Sequence, residues 1–162
     1  MTKPTTRICM LQERAAEVRA YLSSGSSGRH LGSLLSFPTG CCKVASLLLL
    51  QWLNDREGVK DALGIANARR PNPYTPGKDA THFWLEVGDV IVDITADQFD
   101  DYSEPVHVSS NRAWHETFAG GRRYPQADFI PLNGIHMQEY QAMVEYLDNR
   151  DGPRQADVGS PS

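Results

Sequence analysis

Two short stretches of the chain carry side chains whose types and spacing suit chemistry. "FPTGCCKVAS" (37–46) holds the adjacent cysteines Cys41 and Cys42 directly after a glycine. "HFWLEVGDVIVDIT" (82–95) holds His82 and Asp93 on either side of Gly88-Asp89. A nucleophilic cysteine acts as the thiolate, and the first turn of a helix favours that form through free N–H groups and the helix dipole. The same N–H groups can hold the oxyanion of a tetrahedral intermediate. Gly40 allows the backbone to approach closely just before such a turn.

The second stretch is read through strand parity. Side chains on a strand alternate between faces. If Gly88-Asp89 forms a two-residue hairpin turn, Val87 pairs with Val90, Trp84 with Asp93 and His82 with Thr95. Cross-strand partners share a face, so His82, Trp84, Glu86, Ile91, Asp93 and Thr95 lie together. Phe83, Leu85, Val87, Val90, Val92 and Ile94 form a wholly apolar opposite side. His82 and Asp93 become diagonal neighbours within reach of a hydrogen bond. A four-residue loop keeps this parity, and a three-residue loop destroys it. A hairpin with one His and one Asp on a face is commonly just amphipathic; the cysteine pair gives the arrangement its chemical interest.

On a helix, Cys41 shares a face with Ala45, Leu48 and Trp52, whereas Cys42 shares one with Ser46 and adjoins Lys43. Cys42 is therefore the expected nucleophile and Cys41 a small buried hydrophobe. Two structural cysteines on a core helix are the alternative, since cysteine is often buried. Adjacent cysteines lack the gap of about two to four residues usual in structural zinc sites, so no metal is expected. No glycine-rich phosphate-binding pattern is present, and no cofactor is expected.

The elements that must position these residues follow from periodicity and breakers. Residues 6–23 read as a helix and 23–33 as a loop. Residues 40–54 read as a second helix, apolar nearly all round and hence central, with Thr39 as N-cap. Residues 55–80 read as irregular, with a short helix near 57–66 and a loop at "ARRPNPYTPGKDA". Strands are expected at 81–87, 90–94 and 105–109, with one more around 123–130, then an amphipathic helix at 135–149. The fold class is α+β: a central helix on an antiparallel sheet, in one domain spanning 1–150, with a disordered tail at 151–162.

The chain has 162 residues, 40% hydrophobic and 22% charged, with a net charge of −4. That balance fits an ordinary soluble domain and argues against a nucleic-acid partner. The longest apolar run, "VASLLLLQWL", is well short of the roughly 20 residues of a membrane span. The N-terminus lacks a signal peptide's apolar core, and three cysteines that include an adjacent pair do not make a disulfide framework. A cytoplasmic location without membrane association is expected, although secretion without a cleaved signal is compatible with the composition. Oligomeric state is not legible.

"GCC", "HFWLEV" and "VDIT" together resemble the transglutaminase-like branch of the papain-like cysteine enzymes, over Phe37 to Phe99. The resemblance implies a papain-like core in which Gly-x-Cys, here Gly40-Cys41-Cys42, opens the central helix. Histidine and aspartate follow on adjacent strands, in the order Cys42, His82, Asp93. Ser46 stands where relatives carry a small residue, and Asp93-Ile94-Thr95 stands where the family often has Asp-Pro-Thr. The implied activity is thiol-dependent acyl transfer by a peptidase, amidase or glutamine deamidase, or transglutaminase. His82 takes the thiol proton and Asp93 orients the imidazole. The superfamily also has inactive members, so a catalytically dead binding or adaptor module is the alternative.

Several residues surround this candidate triad. Trp84 shares the His82 face, and the loop at 69–79, with Arg69 and Arg70, leads into the histidine strand. Loops of this kind often carry specificity, so these residues are expected to border the site and select a peptide or protein substrate. Gln98 is a candidate substrate contact, with a structural role in "TADQFDDYS" as the other reading. Asp97 is a substitute for Asp93 or a turn residue. His30 and His136 read as surface histidines, His107 lies on a candidate strand, and Trp114-His115 is expected to help wall a cleft.

Overall fold

The computed structural model describes residues 4–69 and 80–150. Within them are three α-helices, α1 (Pro4–Ser23), α2 (Cys42–Glu57) and α3 (Gly134–Arg150). Five strands, β1 (Leu63–Arg69), β2 (Ala80–Val87), β3 (Val90–Asp93), β4 (His107–Ser109) and β5 (Ala119–Pro125), form one antiparallel sheet in the order β4-β3-β2-β1-β5. The fold is α+β with an open sheet. The expected tail at 151–162 and residues 70–79 lie outside the described residues.

Every residue of α2 from Ala45 to Leu53 is buried, as an all-round apolar helix requires. Gln51 is the polar exception with a purpose: its Oε1 accepts the Leu132 N–H at 2.9 Å and its Nε2 donates to Asp55 at 3.0 Å. The helix stops at Gly58, whose left-handed backbone (φ +67°) lets its N–H reach back to Asn54 O. Its start differs from the sequence expectation. Thr39 does not cap it, because Gly40 adopts φ +72° and turns the chain between Thr39 and the helix. Cys41 takes the N-cap position and Cys42 opens the first turn.

The central hairpin has the register that parity requires: Leu85 pairs with Val92, Glu86 with Ile91 and Val87 with Val90. Phe83, Leu85, Val87, Val90, Val92 and Ile94 join the main core with α1, α2 and α3. Trp84 and Ile91 face the other way, into a smaller cluster with Ile65 and Phe118.

Two elements differ from the sequence reading. There is no short helix at 57–66; α2 runs to Glu57, and Leu63–Arg69 is a strand between β2 and β5. Its segment "LGIANAR" is poor in bulky residues, and at Gly64 rings from the core leave no room for one. A Cβ on Gly64 would lie 2.6 Å from Phe83 and 2.8 Å from Phe129. The last strand ends at Pro125 instead of continuing to 130, and a 3-10 turn follows at Gln126–Asp128. Its sequence "AGGRRYP" shows no alternation of apolar residues that would betray a strand.

No helix among the described residues is long and apolar enough to cross a membrane.

Candidate active site

α2 packs on β2 near its N-terminal end. Ser46 Oγ lies 3.5 Å from Phe83 O, the residue after His82. Cys42 sits one turn earlier on the same helix face, at the end of α2 where its thiol acts on His82. The two cysteines divide as their faces require: Cys41 is buried and Cys42 is partly exposed. As the first residue of the helix, Cys42 has a backbone N–H with no intrahelical carbonyl to bond.

The hairpin brings His82 Nε2 to 2.7 Å from Asp93 Oδ2, and both side chains are enclosed. The other carboxylate oxygen, Oδ1, accepts the Thr95 N–H at 3.0 Å and lies 3.5 Å from the Thr95 hydroxyl. The second nitrogen of His82, Nδ1, is buried without a hydrogen-bond partner. With Nε2 committed to Asp93, Nδ1 is the nitrogen left to deal with Cys42.

Around the imidazole stand four aromatic rings, with centroids 5.4 Å (Trp84), 5.1 Å (Phe99), 5.8 Å (Trp114) and 5.6 Å (Phe118) from its own. Burial in this box works to lower the His82 pKa. The charge and hydrogen bond of Asp93, with a smaller contribution from Cys42, outweigh it and bring the imidazole up to about 9. Burial likewise works to raise the Asp93 pKa. The His82 charge and the hydrogen bonds from His115 and His82 overcome it and hold the carboxyl well below its ordinary range. For Cys41, burial and then the neighbouring Cys42 push the thiol up to about 11.

The remaining candidates fall in definite places. Trp84 is buried and walls the His82 side chain. Arg69 pairs with Asp101 at 2.7 and 3.3 Å, and its guanidinium lies 4.6 Å from the Phe118 centroid, so it caps the aromatic box. Arg70 lies outside the described residues. Gln98 spends both ends of its amide on backbone: Nε2 donates to Thr95 O at 3.0 Å and Oε1 accepts the Gly40 N–H at 3.4 Å. Asp97 lies in the 3-10 turn Ala96–Gln98, as its turn reading expects, and forms a two-pronged ion pair with Arg19 at 2.7 and 2.8 Å.

Sequence reasoning gave His115 only a wall of the cleft. Its Nε2 in fact lies 2.7 Å from Asp93 Oδ2, the same atom that meets His82. No spacing or periodicity marks it, because it sits in a 3-10 turn (His115–Thr117) reached from β4 by an irregular segment. The ligand-type atoms of His82, Asp93 and His115 lie within 4.8 Å of one another, the one cation-sized group among the described residues. Neither Cys41 nor Cys42 belongs to it. Both imidazoles already meet Asp93 Oδ2 at hydrogen-bond distance.

No family model, no curated protein and no solved structure matches this chain.

Proposed function

We propose that the protein is a cysteine-dependent acyl-transfer enzyme with a transglutaminase-like variant of the papain-like core, acting on a carboxamide of a peptide or protein. The observation that carries this reading is the enclosed His82–Asp93 pair at 2.7 Å, with the partly exposed Cys42 at the start of α2 among the groups acting on His82. The sequence resemblance points the same way, through Gly40-Cys41-Cys42, His82 and Asp93.

The chemistry runs as follows. His82 Nδ1 takes the Cys42 thiol proton, and Asp93 supports the imidazolium that results. The sulfur attacks the carboxamide carbon, the S–C bond forms, and the carbonyl oxygen takes the negative charge. The Cys42 N–H at the head of α2 is aimed at that oxyanion. The intermediate collapses with cleavage of the C–N bond, and the His82 proton leaves with the departing amine or ammonia. Water or an amine then attacks the thioester carbon while neutral His82 takes its proton. The S–C bond breaks, and the Cys42 sulfur leaves and recovers that proton from His82. The product is the acid (hydrolysis or deamidation) or the new amide (transamidation). The raised His82 pKa suits this cycle, because the imidazolium is the acid that the leaving nitrogen needs.

The experiment uses glutamine-containing peptides with hydroxylamine as acceptor, and mass spectrometry reads hydroxamate or free acid. Cys42→Ala and His82→Ala are expected to abolish turnover, and Asp93→Asn to lower it by about 10²- to 10⁴-fold with the fold intact. Activity that survives Cys42→Ala and disappears in Cys41→Ala moves the nucleophile to Cys41. One observation favours the inactive binding module: the His82 side chain has no solvent exposure. That module predicts an intact hairpin with a Cys42 thiol of ordinary reactivity.

A further inference from the structure

We infer that His115 is a positioning residue that locks the Asp93 carboxylate for His82, through a second imidazole contact on the same oxygen. Its consequence for turnover rests on the acyl-transfer reading above; its hold on Asp93 rests on geometry alone.

A carboxylate has about four acceptor positions. Asp93 meets four donor groups: the Thr95 N–H and hydroxyl on Oδ1, and the Nε2 atoms of His82 and His115 on Oδ2. With both oxygens engaged, rotation of the carboxylate would break bonds at each. Asp93 is 1% exposed, so a lost donor is not replaced from solvent at no cost. His115 is itself held in place. Its ring lies 4.9 Å from Trp84, 4.8 Å from Trp114 and 4.6 Å from His107, centroid to centroid. His107 is fixed in turn by a 2.6 Å contact between its Nδ1 and the Tyr102 hydroxyl. The segment from β4 to the 3-10 turn thus delivers one imidazole to the base of the hairpin, stacked 6.3 Å from the His82 ring.

The titratable groups facing this cluster come from every element packed on it. Cys42 of α2 acts on His82, the Asp93 charge acts on Tyr102 in the segment before β4, and His115 and Asp93 both act on His107 of β4. Arg69 of β1 stands beyond the rings of Phe99, Trp114 and Phe118. His115 is the one that bonds the carboxylate directly in competition with His82.

A merely structural histidine would affect stability without touching the titration of His82. The test follows the His82 ring nitrogens by NMR against pH in the full chain. His115→Phe keeps a ring but removes the donor. Asp93 then gives its whole charge to His82, and the His82 midpoint is expected to move upward by about 0.5 to 1 in pH. His115→Gln places an amide nitrogen where Nε2 was and is expected to leave the midpoint near wild type. If His115→Phe does not fold, His115→Asn, whose shorter amide cannot reach Oδ2, replaces it in the comparison. Where turnover is measured, the donor-lacking variant should lose about 10-fold in kcat with KM little changed, and Gln should restore it. An unchanged His82 midpoint in a folded donor-lacking variant overturns the inference. An inert Cys42 in the wild type would overturn the acyl-transfer reading instead, while the NMR result would still decide whether His115 holds Asp93.

Discussion

Gln98 is fastened to Gly40, two residues before Cys42, by a 3.4 Å hydrogen bond from the Gly40 N–H to its side-chain oxygen. The other end of the same amide holds Thr95 O at 3.0 Å, and Thr95 in turn binds Asp93. One side chain therefore joins the loop that precedes the thiol to the turn that holds the carboxylate. The spacing between two parts of the candidate triad is set by this bridge as well as by the sheet.

Gln98→Ala is expected to cost about 1–2 kcal/mol in stability, as two hydrogen bonds to backbone are lost. If Cys42 is the nucleophile, turnover should fall by more than stability alone explains, because a small misplacement of the thiol weakens attack. Urea unfolding alongside steady-state kinetics checks both. Unchanged kinetics in the variant would show that the hairpin and helix hold their spacing without the bridge.

The three thiols are expected to separate by burial. Cys41 is 2% exposed with its pKa pushed to about 11, so it should resist iodoacetamide until the protein unfolds. Cys9 is exposed and Cys42 partly so, and both should be modified in the native protein. Peptide mapping after timed alkylation reads the order. Early labelling of Cys41 would contradict the placement of α2.

Stability should depend on pH through His82. Its folded-state pKa, about 9, lies above the ordinary 6.5, so the folded protein binds this proton more tightly than the unfolded chain. The stabilisation is complete below about pH 6.5 and is lost as pH rises through about 9. Asp93 acts on the acid side: its depressed pKa contributes stability above the ordinary carboxylate range, lost as pH falls through the folded value. Unfolding free energies from about pH 6 to pH 10 should decline in the wild type, and decline less in His82→Gln. Equal slopes would show that the folded environment does not favour the imidazolium.

Gly64→Ala tests the packing that places β1 beside β2. The new methyl would meet Phe83 of the main core at 2.6 Å and Phe129, packed against that core, at 2.8 Å. A loss of about 1–3 kcal/mol is expected from overpacking, read by denaturant unfolding. A neutral result would mean that the rings shift freely.

The legible parts of the fold were those with a strong pattern. The alternation in "HFWLEV" and "VIVDIT" around Gly88-Asp89 settles both faces of the hairpin, so the short His82–Asp93 contact follows from parity before any coordinates. The all-round apolar run of α2 marks a central helix, and the split between Cys41 and Cys42 follows from its faces. β1 was illegible because the Phe83 and Phe129 rings leave room only for glycine at position 64, and its two alanines add little hydrophobic signal. β5 was displaced for a similar reason: a Cβ on Gly121 would fall 1.5 Å from Ala66 O, so the close strand contact demands glycine there. His115 was illegible because its partner, Asp93, is reached through tertiary structure that no local spacing encodes. Gln98 was ambiguous for the same reason, since its two acceptor and donor partners lie on separate segments.

The most direct measurement is the alkylation rate of Cys42 at neutral pH in the wild type, in His82→Ala and in Asp93→Asn, resolved from Cys9 by peptide mass. If Cys42 is the nucleophile and His82 its partner, the wild-type rate should exceed that of Cys9, and loss of His82 should lower it by about 10-fold or more. Asp93→Asn should fall between the two, with circular dichroism unchanged. A Cys42 that reacts no faster than Cys9, and at the same rate in all three proteins, would contradict catalysis by this thiol.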